Sequence, residues 1–268
     1  MITLASDFGS AYPAAMKGVL LQRTDARLVD IAHDLPRQDV RAAAFWCRET
    51  LPHFPPAVHL VVVDPGVGTE RDALVVRVGD HALVGPDNGV LLPAARRIAK
   101  WDDDEPAIEC FVYEYDDPVS TTFHGRDVFA PMAAAVHEVG VGAVESLDGV
   151  APVDRFSPSA SPTSVVDCRF PEATVDHDTA TARGEVLVVD DFGNAITNVP
   201  GSFLGGREGE TVNVNDVSAA VATAFADVAP GERLVTVGSH GYVECDVNRD
   251  RGDEAFGLVP GDEVVLAG

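Results

Sequence analysis

The chain has 268 residues, 46% of them hydrophobic, and carries 43 acidic against 19 basic residues for a net charge of −24. This length and apolar content suffice for a full core, point to two domains and exclude general disorder. The acidic balance argues against nucleic-acid binding, which needs basic patches, and with no run of about 18 apolar residues no transmembrane helix is expected.

The acidic residues are scattered, as in Asp102 to Glu105, Asp116-Asp117 and Asp250 to Glu254. They read either as adaptation to high salt or as a surface for cations or a basic partner. Long-range steering is not their role, because at about 1 M salt the Debye length is only about 3 Å. The start, Met1 to Leu4 followed by Asp7, has neither a basic n-region nor an apolar h-region, so a cytoplasmic location is expected. Cys47, Cys110, Cys168 and Cys245 form no CxxC or CxxH unit. Free, mostly buried thiols are expected, and no metal site.

In chain order, Ile2 to Ala5 reads as a strand, Ala14 to Arg23 as a helix and Arg27 to Ile31 as a strand. After a loop over His33 to Gln38, Val40 to Leu51 has helical apolar spacing. Val58 to Val63 is a β-branched run that stops at Asp64-Pro65-Gly66, a buried strand ending in a tight turn. Ala73 to Val78 and Ala82 to Val84 form a hairpin pair, with a turn at Gly85 to Gly89. Val128 to Val139 is a helix after Gly125-Arg126-Asp127. Such alternation predicts an α/β N-terminal domain over 1–155, with a mostly parallel sheet and flanking helices. Residues 156–182, rich in Pro, Ser, Asp and Thr, read as a linker or crossover. Short strands follow at 185–189, 196–199, 211–214, 234–237, 242–246 and 263–266. They predict an all-β, barrel-like domain over 183–268.

Five clusters carry chemistry. Asp7, after the first strand, either holds a ribose diol or caps a helix or turn. Asp64 ends a central strand, and Arg71 can fold back on it, either as a structural ion pair or to keep the carboxylate charged. His124 precedes a glycine and a helix start and is either a pocket residue or a structural histidine. Asn194, in Asp190 to Asn198, can read a base edge or cap a hairpin turn. Ser239, in Gly238 to Tyr242 with Glu244 and Asn248 further on, lies in a site loop or an ordinary β-turn. No P-loop, GxGxxG, GxSxG or HExxH is present.

Together these clusters resemble the S-adenosyl-L-methionine (SAM) hydroxide adenosyltransferases, the DUF62 family, relatives of the SAM-dependent fluorinase and chlorinase. The matching segments are SDFG at 6–9, VVDPGVGTER at 62–71, GPDNG at 85–89, TFHGRDVFAP at 122–131, DDFGNAITN at 190–198 and GSHGY at 238–242. The resemblance implies hydrolysis of SAM to adenosine and L-methionine, with SAM as substrate and neither cofactor nor metal. It carries a catalytic triad onto Asp64, Arg71 and His124. The ribose contact falls on Asp7, the methionine contacts on Asp190 and Ser239 and the adenine contact on Asn194, with Asn248 a further binding residue. It also implies a homotrimer whose sites lie between the N-terminal domain of one subunit and the C-terminal domain of the next. Where the halogenases have arginine after the serine, this chain has His240. Where they carry Tyr, Thr and Ser around the halide, it has Asp64, Val67 and Gly125. An ionised Asp64 would repel a halide. The alternatives are a halogenase and a SAM- or adenosine-binding protein without turnover.

Overall fold

The structure, a computed structural model, describes residues 1–69, 71–102, 104–115, 118–153 and 165–268. Glu70, Asp103, the Asp116-Asp117 pair and the first part of the expected linker lie outside the described residues. The chain divides into two units, Met1–Arg169 and Phe170–Gly268. No described helix is long and apolar enough to cross a membrane.

The first unit is a seven-stranded sheet made of β1 (Ile2–Ser6), β2 (Leu28–Ala32), β3 (Val58–Val62), β4 (Ala73–Val78), β5 (His81–Pro86), β6 (Ile108–Tyr113) and β7 (Val150–Val153), in the order β2-β1-β3-β5-β4-β6-β7. The sheet is mixed. β1 runs parallel to β2 and β3, and β3 parallel to β5. The expected hairpin β4–β5, with β6 and β7, forms the antiparallel half. Four helices flank it: α1 (Tyr12–Leu21), α2 (Val40–Thr50), α3 (Leu92–Trp101) and α4 (Ala130–Val139). Met16 and Leu20 of α1 and Met132 and Val136 of α4 join Leu4, Leu60 and Val84 in one core. The alternate strand residues Thr3, Ala5, His59, Val61 and Leu83 are buried as well. Both faces of these strands are covered, so they read as continuous apolar runs rather than alternating ones.

The second unit holds β8 (Thr174–Asp176), β9 (Thr181–Val189), β10 (Ala195–Pro200), β11 (Thr211–Val214), β12 (Val217–Val221), β13 (Arg233–Val237), β14 (Tyr242–Val247), α5 (Gly252–Phe256) and β15 (Glu263–Ala267). The order β10-β14-β13-β12-β11-β15-β9 closes through the β9–β10 pairing into a seven-stranded barrel, with β8 added beside β9. Val186, Val212, Val235, Val243, Cys245 and Leu266 fill it. Closure removes the edges of the barrel itself and leaves β8 as an edge strand. The stretch read as a linker thus contributes β8 and the first residues of β9.

All four cysteines are free, with Cys47, Cys110 and Cys245 buried. Burial holds the Cys47 and Cys245 thiols well above their usual range and hence protonated.

Candidate active site

In the parallel half of the first unit, loops at the ends of β1 and β3 converge beside the start of α4. Asp64 follows β3. Its side chain is 5% exposed, its Oδ1 accepts from Gly66 N at 3.1 Å, and Arg71 Nη1 lies 3.6 Å away. Gly66 makes that return possible, because a Cβ there would sit 2.3 Å from the Arg71 guanidinium. Asn88, in the turn after β5, donates to Val63 O at 2.8 Å and braces the segment leading into Asp64. His124 is 6% exposed and heads a single π-turn, Gly125–Phe129, that runs into α4. Such turns recur at functional sites. Tyr115 packs edge-on against the His124 ring at 5.9 Å.

A guanidinium beside a carboxylate lowers its proton affinity, the effect expected of Arg71 on Asp64. Its contribution does have that sign, as do those of Gly66 N and His124, but burial outweighs them and holds the Asp64 carboxyl above its ordinary value. The guanidinium therefore limits a rise that burial causes.

Asp7 does not cap α1, whose N-cap is Ala11. It accepts from Gln38 N at 2.8 Å. The loop His33 to Gln38 clasps the SDFG segment further. Gly9 N donates to His33 O at 2.7 Å, Leu35 N donates to Ser6 O at 3.3 Å, and Ser6 Oγ is hydrogen-bonded to His33 Nδ1 at 2.8 Å. His33 is held in turn by Asp30 and Asp30 by Lys17, at 3.0 and 2.6 Å. Asp7 and Asp64 share a cavity of about 480 Å³ with Tyr12, Val67 and Phe123. Phe8, Tyr12 and Phe123 meet edge to face along it. This aromatic wall was not read from the sequence; Phe8 and Phe123 stood beside the motif residues as its only signal.

In the second unit Asp190, Asn194, Ser239 and Asn248 all line one cavity of about 960 Å³. The turn readings hold at the same time. Asp190 accepts from Phe192 N, Asn194 N and Asn194 Nδ2 at 2.9, 2.9 and 3.0 Å. Gly241 N donates to Gly238 O, closing the turn that carries Ser239. Asn248 Nδ2 donates to Val228 O at 2.8 Å. Phe192, 80% exposed, and Phe225, 40% exposed, add apolar surface to the rim.

An α/β unit with a buried Asp–Arg pair past a strand end, followed by a closed barrel with a cavity lined in part by carboxylates, defines the class: a two-domain protein with a cavity in each unit. Residues 2–146 match the SAM hydroxide adenosyltransferase N-terminal domain and residues 184–265 the C-terminal domain. The chain belongs to that family. It is 40% identical over 272 residues to the (R)-S-adenosyl-L-methionine hydrolase of Salinispora tropica, covering 100% of this chain and 98% of that one. It is 39% identical over 270 residues to the enzyme of the same name from Thermus thermophilus, covering 97% of each. Among solved structures it is similar to a conserved protein from Thermotoga maritima, with a TM-score of 0.79, 32% identity and 100% of both chains covered. A conserved hypothetical protein from Thermus thermophilus gives a TM-score of 0.72 at 34% identity, covering 99% of this chain and 98% of that one.

Proposed function

We propose that the protein hydrolyses SAM to adenosine and L-methionine. The observation that carries this reading is the buried Asp64 carboxylate, held by Arg71 and Gly66 N, facing a cavity that Asp7 shares. Water attacks C5′, the C5′–S bond breaks with its electron pair going to sulfur, and methionine leaves as a neutral thioether. The attacking water gives up one proton. Asp64 accepts a hydrogen bond from that water and aligns it opposite the sulfur; alignment of this kind is worth on the order of 7–11 kcal/mol at best. Arg71 fixes Asp64, and His124 completes the hydrogen bonding and passes the proton on. Asp7 holds the ribose hydroxyls, Asn194 serves the adenine, Asp190 and Ser239 bind the methionine end, and Asn248 is a further substrate-binding residue of the same cavity. The scheme invokes no cofactor or metal, and SAM and water in the cytoplasm suffice for it.

The halogenase reading is disfavoured by packing as well as by charge. Val67 offers no hydroxyl to a halide. A Cβ on Gly125 would lie 2.9 Å from Met16 Sδ and 3.0 Å from Phe8 Cε2, so the serine of the halogenases has no room here without movement. Gly125→Ser is expected to shift the Phe8 wall and lower the hydrolysis rate by about tenfold, about 1.4 kcal/mol of barrier, without yielding chlorinated product in KCl. Chromatography of the products checks both; formation of 5′-chloro-5′-deoxyadenosine by this variant would show that one hydroxyl decides the nucleophile.

We further propose a homotrimer in which each site draws on the first unit of one subunit and the second unit of the next. Co-expressed Asp64→Asn and Asp190→Ala chains are then expected to regain activity that neither has alone, at about a quarter of the sites for random assortment. No regain in mixed oligomers contradicts a shared site.

A further inference from the structure

The barrel-side cavity holds more carboxyl groups than the ammonium of one substrate accounts for. Asp190 lines it from the β9–β10 turn and Glu244 from β14. Val243 and Cys245 of β14 point into the barrel core, so Glu244 and Asp246 share the opposite face of that strand. Glu244 is 8% exposed and Asp246 is fully buried. Neither oxygen of Asp246 has a hydrogen-bond partner among the described residues. The Glu244 carboxyl takes no hydrogen bond from a described residue either. It sits in the space left by Gly238, where a Cβ would fall 1.7 Å from Glu244 Oε1, directly before Ser239. A buried carboxyl that lines a cavity without a donor of its own is a group awaiting one from a ligand.

We propose that Glu244 is a second anionic binding residue of this cavity, taking up the α-ammonium group of SAM together with Asp190. The proposal rests on reading the cavity as the methionine end of the site. Glu244 and Asp190 then face a cation with two carboxylates where one was expected, and the contact depends on the proton that Glu244 carries. Burial first, and then the field of Asp190, push the Glu244 carboxyl up to about 7. Burial first, then Glu244 and Asp190, push Asp246 up to about 8. The neighbours on the flanking strands, Ile196 on β10 and Thr236 on β13, bring no charge to Glu244. The other titratable or charged side chains lining the cavity are His240 from the β13–β14 turn, Asp191 beside Asp190, and Arg249, Asp250 and Arg251 beyond β14. Arg251 is engaged by Asp253 at 2.7 Å. An incoming ammonium favours the ionised form of Glu244, so binding below neutrality must expel its proton.

The test is calorimetric titration of the full-length Asp64→Asn protein, which binds SAM without consuming it, in buffers of different ionisation enthalpy. SAM is expected to release about one proton at pH 6 and to bind up to about tenfold more tightly for each pH unit between 6 and 7. Adding Glu244→Gln is expected to weaken SAM by about tenfold at pH 8 and to abolish both the proton release and the slope. Adenosine, which has no ammonium, is expected to bind both proteins alike. Glu244→Asp retains the charge and is expected to keep the slope at lower affinity, which decides the matter should the glutamine variant not fold. Unchanged SAM affinity and slope in Glu244→Gln overturn the proposal, leaving SAM hydrolysis at Asp64 standing. Failure of both SAM and adenosine to bind the parent protein overturns the site reading itself, and this inference with it.

Discussion

Asp64→Asn is expected to lower kcat for SAM hydrolysis by about a thousandfold while SAM affinity changes by less than about threefold. Asparagine keeps the shape and the Oδ1 that accepts from Gly66 N, so the turn after β3 survives. It loses the charge that orients water and attracts its protons. The pH profile gives a second readout. Burial raises the Asp64 carboxyl above its ordinary 3.8, and the group must be ionised to act. Activity is therefore lost as pH falls, along an acid limb that lies above 3.8. Arg71→Gln removes the charge that opposes this rise and is expected to move the limb further up, so that part of its lost rate returns at higher pH. Full turnover by Asp64→Asn would remove Asp64 from the mechanism, and a limb unmoved in Arg71→Gln would make that arginine a purely structural partner.

Asp246→Ala is expected to stabilise the unliganded protein by about 2–3 kcal/mol at pH 8, because it removes a buried carboxyl whose two oxygens have no partner among the described residues. The gain is expected to shrink on acidification. The Asp246 proton is held up to about 8 in the fold against 3.8 in the open chain. The folded protein thus binds one more proton than the unfolded chain between those values, and stability falls as pH rises through that window. Glu244 adds the same sign between 4.5 and about 7. Thermal unfolding of parent and variant at pH 5 and pH 8 measures this directly; a variant less stable at pH 8 would mean that Asp246 has a partner in solution. A costly carboxyl kept behind a binding cavity fits the usual exchange of stability for function.

The first unit was legible where local pattern and tertiary role agree. The run Val58 to Val63 could only be a strand buried on both faces, and Asp-Pro-Gly could only end it. The segment Leu92–Trp101 became α3 although Pro93 and the Arg96-Arg97 pair break its apolar pattern; Pro at the first turn and basic residues on an outer face are compatible with a helix. Ile108–Tyr113 was hidden behind an acidic run and is a strand because β4 and β7 pair with it on either side. The cost of the linker reading was β8, three residues whose strand character comes from pairing with β9 alone.

The candidate site divides the same way. Asp64, Arg71, Asp7 and His124 stand beside turn signals that announce their positions. Asp190, Asn194 and Ser239 were visible as turn residues, but their convergence with Asn248 on one cavity is a product of barrel closure, which no local pattern encodes. Glu244 and Asp246 were the least legible. Acids at alternate positions of a strand usually face water, whereas here Glu244 is 8% exposed and Asp246 fully buried.

The proposed reaction turns on attack of water at C5′ of SAM in preference to chloride. Incubating the protein with SAM in KCl made up with oxygen-18 water, and weighing the nucleoside product by mass spectrometry, tests it most directly. Attack by water gives adenosine carrying one heavy oxygen at the 5′ position, with unlabelled methionine. Chlorinated nucleoside as the main product, or adenosine without the label, would contradict it.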